Sequence, residues 1–328
     1  MTFGYFLASE DWEPRELVRQ AVRAQEAGFQ ALWISDHFHP WTDQQGHSSF
    51  VWSVIGALSR ETDLPITTAV TCPTVRIHPA IIAQAAATSS VLHGGRFVLG
   101  VGSGEALNEQ VTGSPWPLAP TRLAMLEEAV EIMRELWTGD VVTRAGEHYR
   151  VEHARLYTSP KTPPPVYVSA FAPAAARLAG RIGDGLISTI PDADLVASFE
   201  RAGGVGKPTQ GGVKVCYGAE TAEAVGTAYR LWPNEGLPGE LAQVLRTPEH
   251  MMQASSLVTP EQIAASHACG PDPGRHVQAI TEYLDAGYRD VFVNQIGPDQ
   301  DAFFDFYAAE VLPRLKGEDD HEFVPGRG

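Results

Sequence analysis

Short apolar runs alternate along the chain with longer segments in which apolar residues recur every three to four positions. The first run is Thr2–Leu7, and the helical stripe after it begins at Pro14 and ends at Gly28. Short apolar runs are typical of buried strands, whereas the longer period is typical of an amphipathic helix. The same pair of patterns occurs eight times.

The eight pairs predict a parallel sheet, because strands alternate with helices throughout. The predicted strands are Thr2–Leu7, Ala31–Ile34, Ile66–Thr71, Phe97–Val101, Val166–Val168, Gly185–Ile187, Val213–Tyr217 and Val291–Val293. The predicted helices after the first are Phe50–Leu58, Pro79–Leu92, Thr121–Leu136, Ala174–Ile182, Leu195–Arg201, Thr221–Leu231 and Asp301–Leu315. Eight units favour a closed (β/α)8 TIM barrel, of the α/β class, over two doubly wound halves.

Two segments depart from the repeating pattern and are predicted to be insertions. Residues 138–165 hold a predicted hairpin, Val141–Thr143 with His148–Val151, and residues 232–259 end at a capping-box sequence that begins at Thr259. Although 328 residues would accommodate two domains of about 150 residues each, the pattern predicts one barrel domain over residues 1–316. Residues 317–328 are predicted to be a polar tail.

Composition narrows the possible partners. Twenty-four Lys and Arg against forty Asp and Glu give a formal charge of −16, which disfavours binding to nucleic acid or to an anionic membrane. The three widely spaced cysteines indicate a reducing compartment rather than a disulfide framework. No signal peptide or apolar run of 18 residues is visible, so the sequence predicts a cytoplasmic protein with a small-molecule substrate.

In a barrel, functional groups collect where strands end and the following loops begin. The loop after the second strand, Ser35–Trp41, holds an acid, two imidazoles and an indole. His37 and His39 could be two zinc ligands, but the later predicted strand ends supply no further His or Asp ligands, so no metal site is expected. An ordinary polar and aromatic loop is the alternative.

Two further loops could contact a ligand. The fourth strand runs into Gly102-Ser103-Gly104-Glu105, followed by Asn108; glycines there allow close approach of the backbone, and an acid and an amide follow. Glu105 could equally complement the charge of a helix start. The turn Ser169–Ala174 enters a helix whose free N–H groups could seat a phosphate, although an ordinary turn has the same sequence.

In combination, these segments resemble one family. They are Ser35–Trp41, Gln45–His47, Gly102–Glu109 and Ala179–Gly185. The chain resembles the coenzyme F420-dependent dehydrogenases of the bacterial luciferase-like superfamily, in particular the glucose-6-phosphate dehydrogenase group, from Gly4 to about Leu315. The resemblance implies a luciferase-like TIM barrel with insertions, a homodimer and the deazaflavin cofactor F420, with the flavin FMN as the alternative cofactor.

The resemblance also implies roles for individual residues. His37 would accept the hydroxyl proton while hydride leaves for the deazaflavin, and Glu105 would handle the proton at the pyrimidine edge. Trp41 would wall the pocket and orient substrate, Glu10 would be a further acid, and Thr189 would contact substrate. The residues implied to bind the cofactor are Asp36, Ala69, Val70, Cys72, Ser103, Gly104, Asn108, Phe171, Ala172, Ala174 and Ala175.

The sequence departs from the family pattern in two places. Phe171-Ala172 stands where the family has paired glycines at the cofactor phosphate. Asp192, Ala242 and Ser266 align with the two Lys and the Arg that bind the substrate phosphate in the sugar-phosphate dehydrogenases. A dianionic phosphate beside Asp192 would be repelled.

The sequence therefore predicts an F420-dependent oxidoreductase acting on a non-phosphorylated alcohol or hemiacetal, or on its carbonyl form. The alternatives are an FMN-dependent luciferase-like monooxygenase, a sugar-6-phosphate dehydrogenase with a rearranged phosphate site, and a barrel that only carries the deazaflavin. A carrier would have no need of the base His37, so the set His37, Glu105 and Trp41 argues against it.

Overall fold

A computed structural model describes residues 1–318, so residues 319–328 of the predicted polar tail lie outside the described residues. Within it, eight parallel strands close into a barrel, which confirms the predicted TIM-barrel fold. The strands in chain order are β1 Thr2–Leu7, β2 Leu32–Ile34, β3 Ile66–Thr68, β4 Phe97–Val101, β5 Val142–Ala145, β6 Arg150–Ala154, β7 Val166–Ser169, β8 Gly185–Ser188, β9 Thr209–Cys216, β10 Ala268–Cys269 and β11 Asp290–Gln295.

Barrel closure runs through β1-β2-β3-β4-β7-β8-β9-β11 and back to β1, with every pairing parallel. The short strand β10 pairs in parallel with the last residues of β9, where Ala268 lies opposite Val215. The strands β5 and β6 form a separate antiparallel hairpin, as the sequence predicts for the first insertion.

Helices surround the barrel. They are α1 Pro14–Glu26, α2 Val51–Glu61, α3 Pro79–Leu92, α4 Ala106–Glu109, α5 Ala119–Trp137, α6 Pro173–Ile182, α7 Ala193–Phe199, α8 Thr221–Leu231, α9 Leu241–Val244, α10 Pro248–Ser255, α11 Pro260–Ser266, α12 Pro273–Asp285, α13 Gln300–Phe306 and α14 Leu312–Glu318. No helix within residues 1–318 is at once long and apolar enough to cross a bilayer.

Large aromatic side chains fill the inside of the barrel. The rings of Trp33 and Phe292 stack with centroids 4.6 Å apart, and the indole N–H of Trp33 donates to Gln210 Oε1 at 2.8 Å. Glycines make room for them: a Cβ at Gly212 would lie 2.3 Å from the Trp33 ring. A second and larger apolar core lies between the strands and the helices, as expected for this fold.

Several predicted elements differ in extent from the observed ones. β3 ends at Thr68 rather than Thr71, although Thr71 still forms an isolated bridge with Val101. β9 begins at Thr209 rather than at Val213. The pattern missed its first residues because they include two glycines and carry little apolar signal. The predicted helix Leu195–Arg201 is α7, which passes into a wider turn over Glu200–Gly204 with Gly203 at a φ of 108°.

The second insertion contains a 3-10 turn over Pro233–Gly236 and the short helices α9 and α10. The capping box at its end is confirmed: the Thr259 hydroxyl accepts from the Gln262 N–H, and Gln262 Oε1 accepts from the Thr259 N–H at 2.8 Å. Helix α12 was not predicted. Its residues His276, Ile280 and Tyr283 are buried, so it is part of the packed outer layer.

Candidate active site

Three side chains meet at the carboxyl-terminal mouth of the barrel. Glu10 follows β1, His37 follows β2 and Glu105 follows β4. His37 Nδ1 lies 2.8 Å from Glu10 Oε1, and His37 Nε2 lies 3.4 Å from Glu105 Oε1. The imidazole therefore lies between two carboxylates contributed by different loops, and we call these three residues the acid–imidazole–acid line.

The Glu10 end of this line is held by two serines. Glu10 Oε2 accepts a hydrogen bond from Ser35 Oγ at 2.7 Å. Ser35 Oγ in turn accepts from the backbone N–H of Ser9 at 2.9 Å. These bonds join the loops after β1 and β2, so the position of the Glu10 carboxylate relative to His37 is fixed.

The electrostatics of the line favour a charged pair. Burial alone would lower the pKa of His37, but the negative charges of Glu10 and Glu105 outweigh burial, and the pKa is raised above its ordinary value. Burial alone would raise the pKa of Glu10, but His37 and the Ser35 hydroxyl hold that pKa below its ordinary value. His37 therefore holds a proton more tightly than a free imidazole does.

Glu105 reaches His37 instead of capping the helix that it precedes. It occupies the N-cap position of α4, yet its side chain makes no capping hydrogen bond. Its Oε1 accepts from Asn108 Nδ2 at 2.8 Å, and Asn108 Oδ1 accepts from the backbone N–H groups of Phe38 and His39. Asn108 thus ties the loop after β4 to the loop that carries His37.

A buried ion-pair network lies beside the line. Asp36 Oδ1 accepts from Arg76 at 2.8 Å, and Asp36 Oδ2 accepts from the Thr71 hydroxyl at 2.7 Å. Arg76 Nε lies 3.5 Å from Glu109, whose pKa burial raises to about 7. Sequence reasoning found Asp36 but missed Arg76 and Glu109, since nothing local in the sequence indicates that these loops meet.

Trp41 and the loop after β3 form walls of the same mouth. The Trp41 ring stands edge-on to His37, with centroids 5.0 Å apart. Ala69 and Val70, joined by a cis peptide bond, precede the buried Cys72. A Cβ at Gly102 would lie 2.7 Å from the side chain of Val70, so this glycine allows the loops after β3 and β4 to approach closely.

The turn after β7 presents a helix start made of small residues. Ala172 has extended backbone at the N-cap of α6, Pro173 opens the helix, and Ala174 and Ala175 follow. Phe171 is 46% exposed, so its ring lies at the surface. The first N–H groups of a helix have no partner within it and are available to an anion.

The loop after β8 contains the remaining predicted substrate residue. The backbone carbonyl of Thr189 accepts from the Tyr283 hydroxyl at 2.8 Å. Asp192 caps α7, where its carboxylate accepts from the Asp194 N–H at 2.8 Å. Ser266 ends α11 and bonds to backbone carbonyls of its own helix, while Ala242 lies on α9.

One cation at the mouth was not predicted to belong to the site. Lys214, on β9, lies 3.0 Å from Glu235 Oε1 and 4.6 Å from the centroid of the Trp232 ring. Trp232 Nε1 donates to Asp11 Oδ2 at 2.8 Å. The signal available in the sequence was a lysine inside the otherwise apolar run of a predicted strand.

No cluster of three or more potential metal ligands occurs within the described part of the chain. His39, the second histidine of its loop, has Nδ1 at 3.0 Å from the carbonyl of Leu107. The two histidines therefore have different surroundings, one between carboxylates and the other against backbone.

The fold and the mouth define a class of protein. The sequence model of the luciferase-like monooxygenase family matches residues 1–290. The chain belongs to this family.

The names of individual relatives are more specific than the description of the family. The F420-dependent glucose-6-phosphate dehydrogenase of Intrasporangium calvum is 38% identical and aligns with 96% of this chain and 98% of its own. The enzyme of the same name from Microbacterium testaceum is also 38% identical, with 96% and 98% covered. A solved F420-dependent secondary alcohol dehydrogenase, in complex with an F420–acetone adduct, superimposes with a TM-score of 0.88 at 31% identity, covering 95% of this chain and 98% of that one.

Proposed function

We propose that the protein is an F420-dependent oxidoreductase that acts on CH–OH groups. Its substrate is a non-phosphorylated alcohol or hemiacetal, or the corresponding carbonyl compound in the reverse direction. The observation that carries this proposal is the acid–imidazole–acid line at the barrel mouth. The names of the relatives support it, because both groups are F420-dependent dehydrogenases.

The residues present fit a deazaflavin. Backbone without side chains at Gly102 and Gly104 lines the loop after β4, and a Cβ at either glycine would meet neighbouring side chains at 2.7 Å. The exposed start of α6 offers N–H groups to a phosphate, and the Phe171 ring lies at the surface. When bound, the deazaflavin accepts or donates the hydride.

His37 is assigned the proton transfer. When His37 is neutral and its proton is on Nδ1, 2.8 Å from Glu10 Oε1, Nε2 can accept the hydroxyl proton of an alcohol. Loss of the hydroxyl proton would let a C=O bond form as the carbinol carbon gives up its hydride, for which bound deazaflavin would be the two-electron acceptor. In the reverse direction the imidazolium returns the proton to the carbonyl oxygen.

Each carboxylate has a different task in this proposal. Glu10 stabilises the imidazolium that forms when His37 accepts a proton, since the Nδ1 side faces its charge. Glu105 lies on the Nε2 side, where it can exchange a proton at the edge of the cofactor. Trp41 excludes water from one side of the imidazole.

Cofactor binding is the direct test of the proposal. We expect the purified protein to bind F420 more tightly than FMN, as measured by quenching of F420 fluorescence and by absorbance. Reduction of F420 by a panel of neutral alcohols should follow. Tight binding of FMN with oxygen consumption would instead support a luciferase-like monooxygenase. A homodimer and a cytoplasmic location stay predictions; sedimentation tests the first and fractionation of cells the second.

Replacing Glu105 by Gln should lower kcat at least about tenfold and change the pH profile, because glutamine keeps the shape but cannot exchange a proton. The measurement is kcat against pH for F420 reduction. The matched control is Glu61→Gln, an exposed carboxylate at the end of α2. An unchanged pH profile in Glu105→Gln would make Glu105 a structural residue.

Replacing Glu10 by Gln should shift the acidic limb of kcat/KM for alcohol oxidation to lower pH. Oxidation needs neutral His37, and the Glu10 charge helps to raise the His37 pKa, so removing the charge lowers that pKa. In the reverse direction, which needs the imidazolium, activity should be lost at a lower pH than in the wild type. Asp43→Asn removes an exposed charge from the loop after β2 and should leave both profiles in place; a Glu10→Gln profile that also stays in place would disprove the assignment.

A further inference from the structure

The ion pair between Lys214 and Glu235 lies at the barrel mouth but has no part in the proton chemistry. Lys214 is a barrel residue opposite Asn294 of β11, whereas Glu235 lies on the 3-10 turn of the second insertion. Their side chains are 10% and 29% exposed, so a ligand entering the mouth can reach both. The Lys214 ammonium can donate hydrogen bonds and the Glu235 carboxylate can accept them, and the two charges of the pair cancel.

Aromatic side chains adjoin this ion pair. The Lys214 ammonium lies over the Trp232 ring at 4.6 Å and near the Phe6 ring at 6.0 Å. Trp41, which stands edge-on to His37, packs against the same apolar cluster as Trp232. Trp232 is only 2% exposed, so it supports the ammonium from inside the fold, and Trp41 is the partly exposed ring of this cluster.

Two buried oxygens near the ion pair have no hydrogen-bond partner within residues 1–318. They are Asn294 Oδ1, whose amide nitrogen donates to the Phe6 carbonyl at 3.0 Å, and Asp11 Oδ1. Burial raises the pKa of Asp11 to about 8, despite the hydrogen bond from Trp232 that lowers it. Unpaired buried polar atoms are rare and costly unless a ligand satisfies them.

We propose that Lys214, Glu235 and Asn294 form a hydroxyl-recognition wall, and that the substrate is a neutral diol or polyol with at least one hydroxyl beyond the reacting one. This inference rests on the proposed function, because it names the substrate class of the same site. The ammonium donates to hydroxyl oxygen, and the carboxylate and the amide oxygen accept from hydroxyl hydrogen. The partly exposed indole ring of Trp41 packs against the C–H face of the carbon skeleton.

The charges favour a neutral ligand over an anion. The Lys214 ammonium is already paired with Glu235, and Glu10 adds a second negative charge to the same mouth. An anion would have to displace Glu235 and leave that carboxylate without its partner, which is strongly unfavourable. A hydroxyl can join the pair without separating it.

Three ligands of one ring size test the wall: cyclohexanol, 1,2-cyclohexanediol and cyclohexanecarboxylate. Calorimetric Kd values, measured with and without F420, are expected to show the diol at least about tenfold tighter than cyclohexanol, with the carboxylate weakest. Equal Kd values for the diol and cyclohexanol would overturn the inference. Tightest binding of the carboxylate would also overturn it, since Lys214 would then be an anion site.

Two variants connect the preference to the wall. Lys214→Met with Glu235→Leu replaces the ion pair by apolar side chains, a change that such pairs often tolerate, and should reduce the diol preference to less than about twofold. Glu235→Gln frees the ammonium and should tighten carboxylate binding at least about fivefold. The matched control replaces an ion pair between β5 and α5, Arg144→Met with Glu131→Gln, and should keep the wild-type ratio.

A diol preference that persists in the Lys214→Met, Glu235→Leu variant would overturn the inference. Because these are binding measurements, they separate the inference from the proposed function. Wild-type protein that binds the diol as expected but does not bind F420 would leave the wall in place and disprove the oxidoreductase. Protein that binds F420 and reduces it with an alcohol, yet shows no diol preference, would support the oxidoreductase and disprove the hydroxyl-recognition wall.

Discussion

Replacing His37 by alanine should lower kcat for alcohol oxidation about 10²–10⁴-fold, the range expected when a positioned proton acceptor is removed. The imidazole is the one group that contacts both carboxylates of the acid–imidazole–acid line. Without it, the hydroxyl proton has no acceptor next to the reacting carbon. Cofactor affinity, measured by F420 fluorescence, should stay within a few-fold of the wild type.

The matched control for His37 is its near neighbour His39. His39→Ala removes an imidazole that contacts only backbone through Nδ1, and kcat should stay within about threefold of the wild type. A His37→Ala variant with near-wild-type kcat would exclude His37 as the proton acceptor.

Glucose-6-phosphate should be a poor substrate, with kcat/KM at least about 10³-fold below that of the best neutral alcohol. The phosphate is close to a dianion, and burying it requires cations. Asp192 stands where the resemblance places one of them, and Lys214 is paired with Glu235. The exposed Arg201 lies in the turn after α7, where it donates to Ser198. The measurement is initial rate of F420 reduction on both substrates.

Restoring cations at the positions that the resemblance assigns to the phosphate should create activity on glucose-6-phosphate. Asp192→Lys with Ser266→Arg should raise kcat/KM for glucose-6-phosphate at least about tenfold, with little change for the neutral alcohol. Loss of the Asp192 cap costs about 1 kcal/mol of stability, so thermal unfolding is measured alongside. Efficient oxidation of glucose-6-phosphate by the wild type would contradict the prediction and support a sugar-6-phosphate dehydrogenase with a rearranged phosphate site.

Strand and helix pattern predicted the barrel because each element carries its own local signal. Thr2–Leu7 and Phe97–Val101 have the predicted bounds, as does the helix Pro79–Leu92, which begins at a proline. In these elements the apolar period, the propensities and the terminating residues agree. Helix α12 was missed because its first turn contains Pro273 and Gly274 and its sequence mixes polar and apolar residues.

The proton-transfer residues were predictable in part because they lie at strand ends in recognisable segments. The resemblance implied roles for His37, Glu10 and Glu105 but not their contacts with one another, which the structure gives. Arg76, Lys214 and Asn294 were missed for a physical reason. Each acts through a partner on a distant loop or a neighbouring strand, and such pairing depends on barrel register, which a single sequence does not encode locally.

The proposed proton-transfer residues and one part of the proposed hydroxyl-recognition wall, Glu235, lie in separate stretches of this chain. The residues that move the proton follow β1, β2 and β4, whereas Trp232 and Glu235 belong to the second insertion, outside the barrel repeat. A gene library confined to residues 232–259 would therefore vary Glu235 and its neighbours while leaving the acid–imidazole–acid line untouched. Every clone would keep the proposed proton-transfer groups, so a change in substrate preference among the clones would report on the ligand contacts of this one segment.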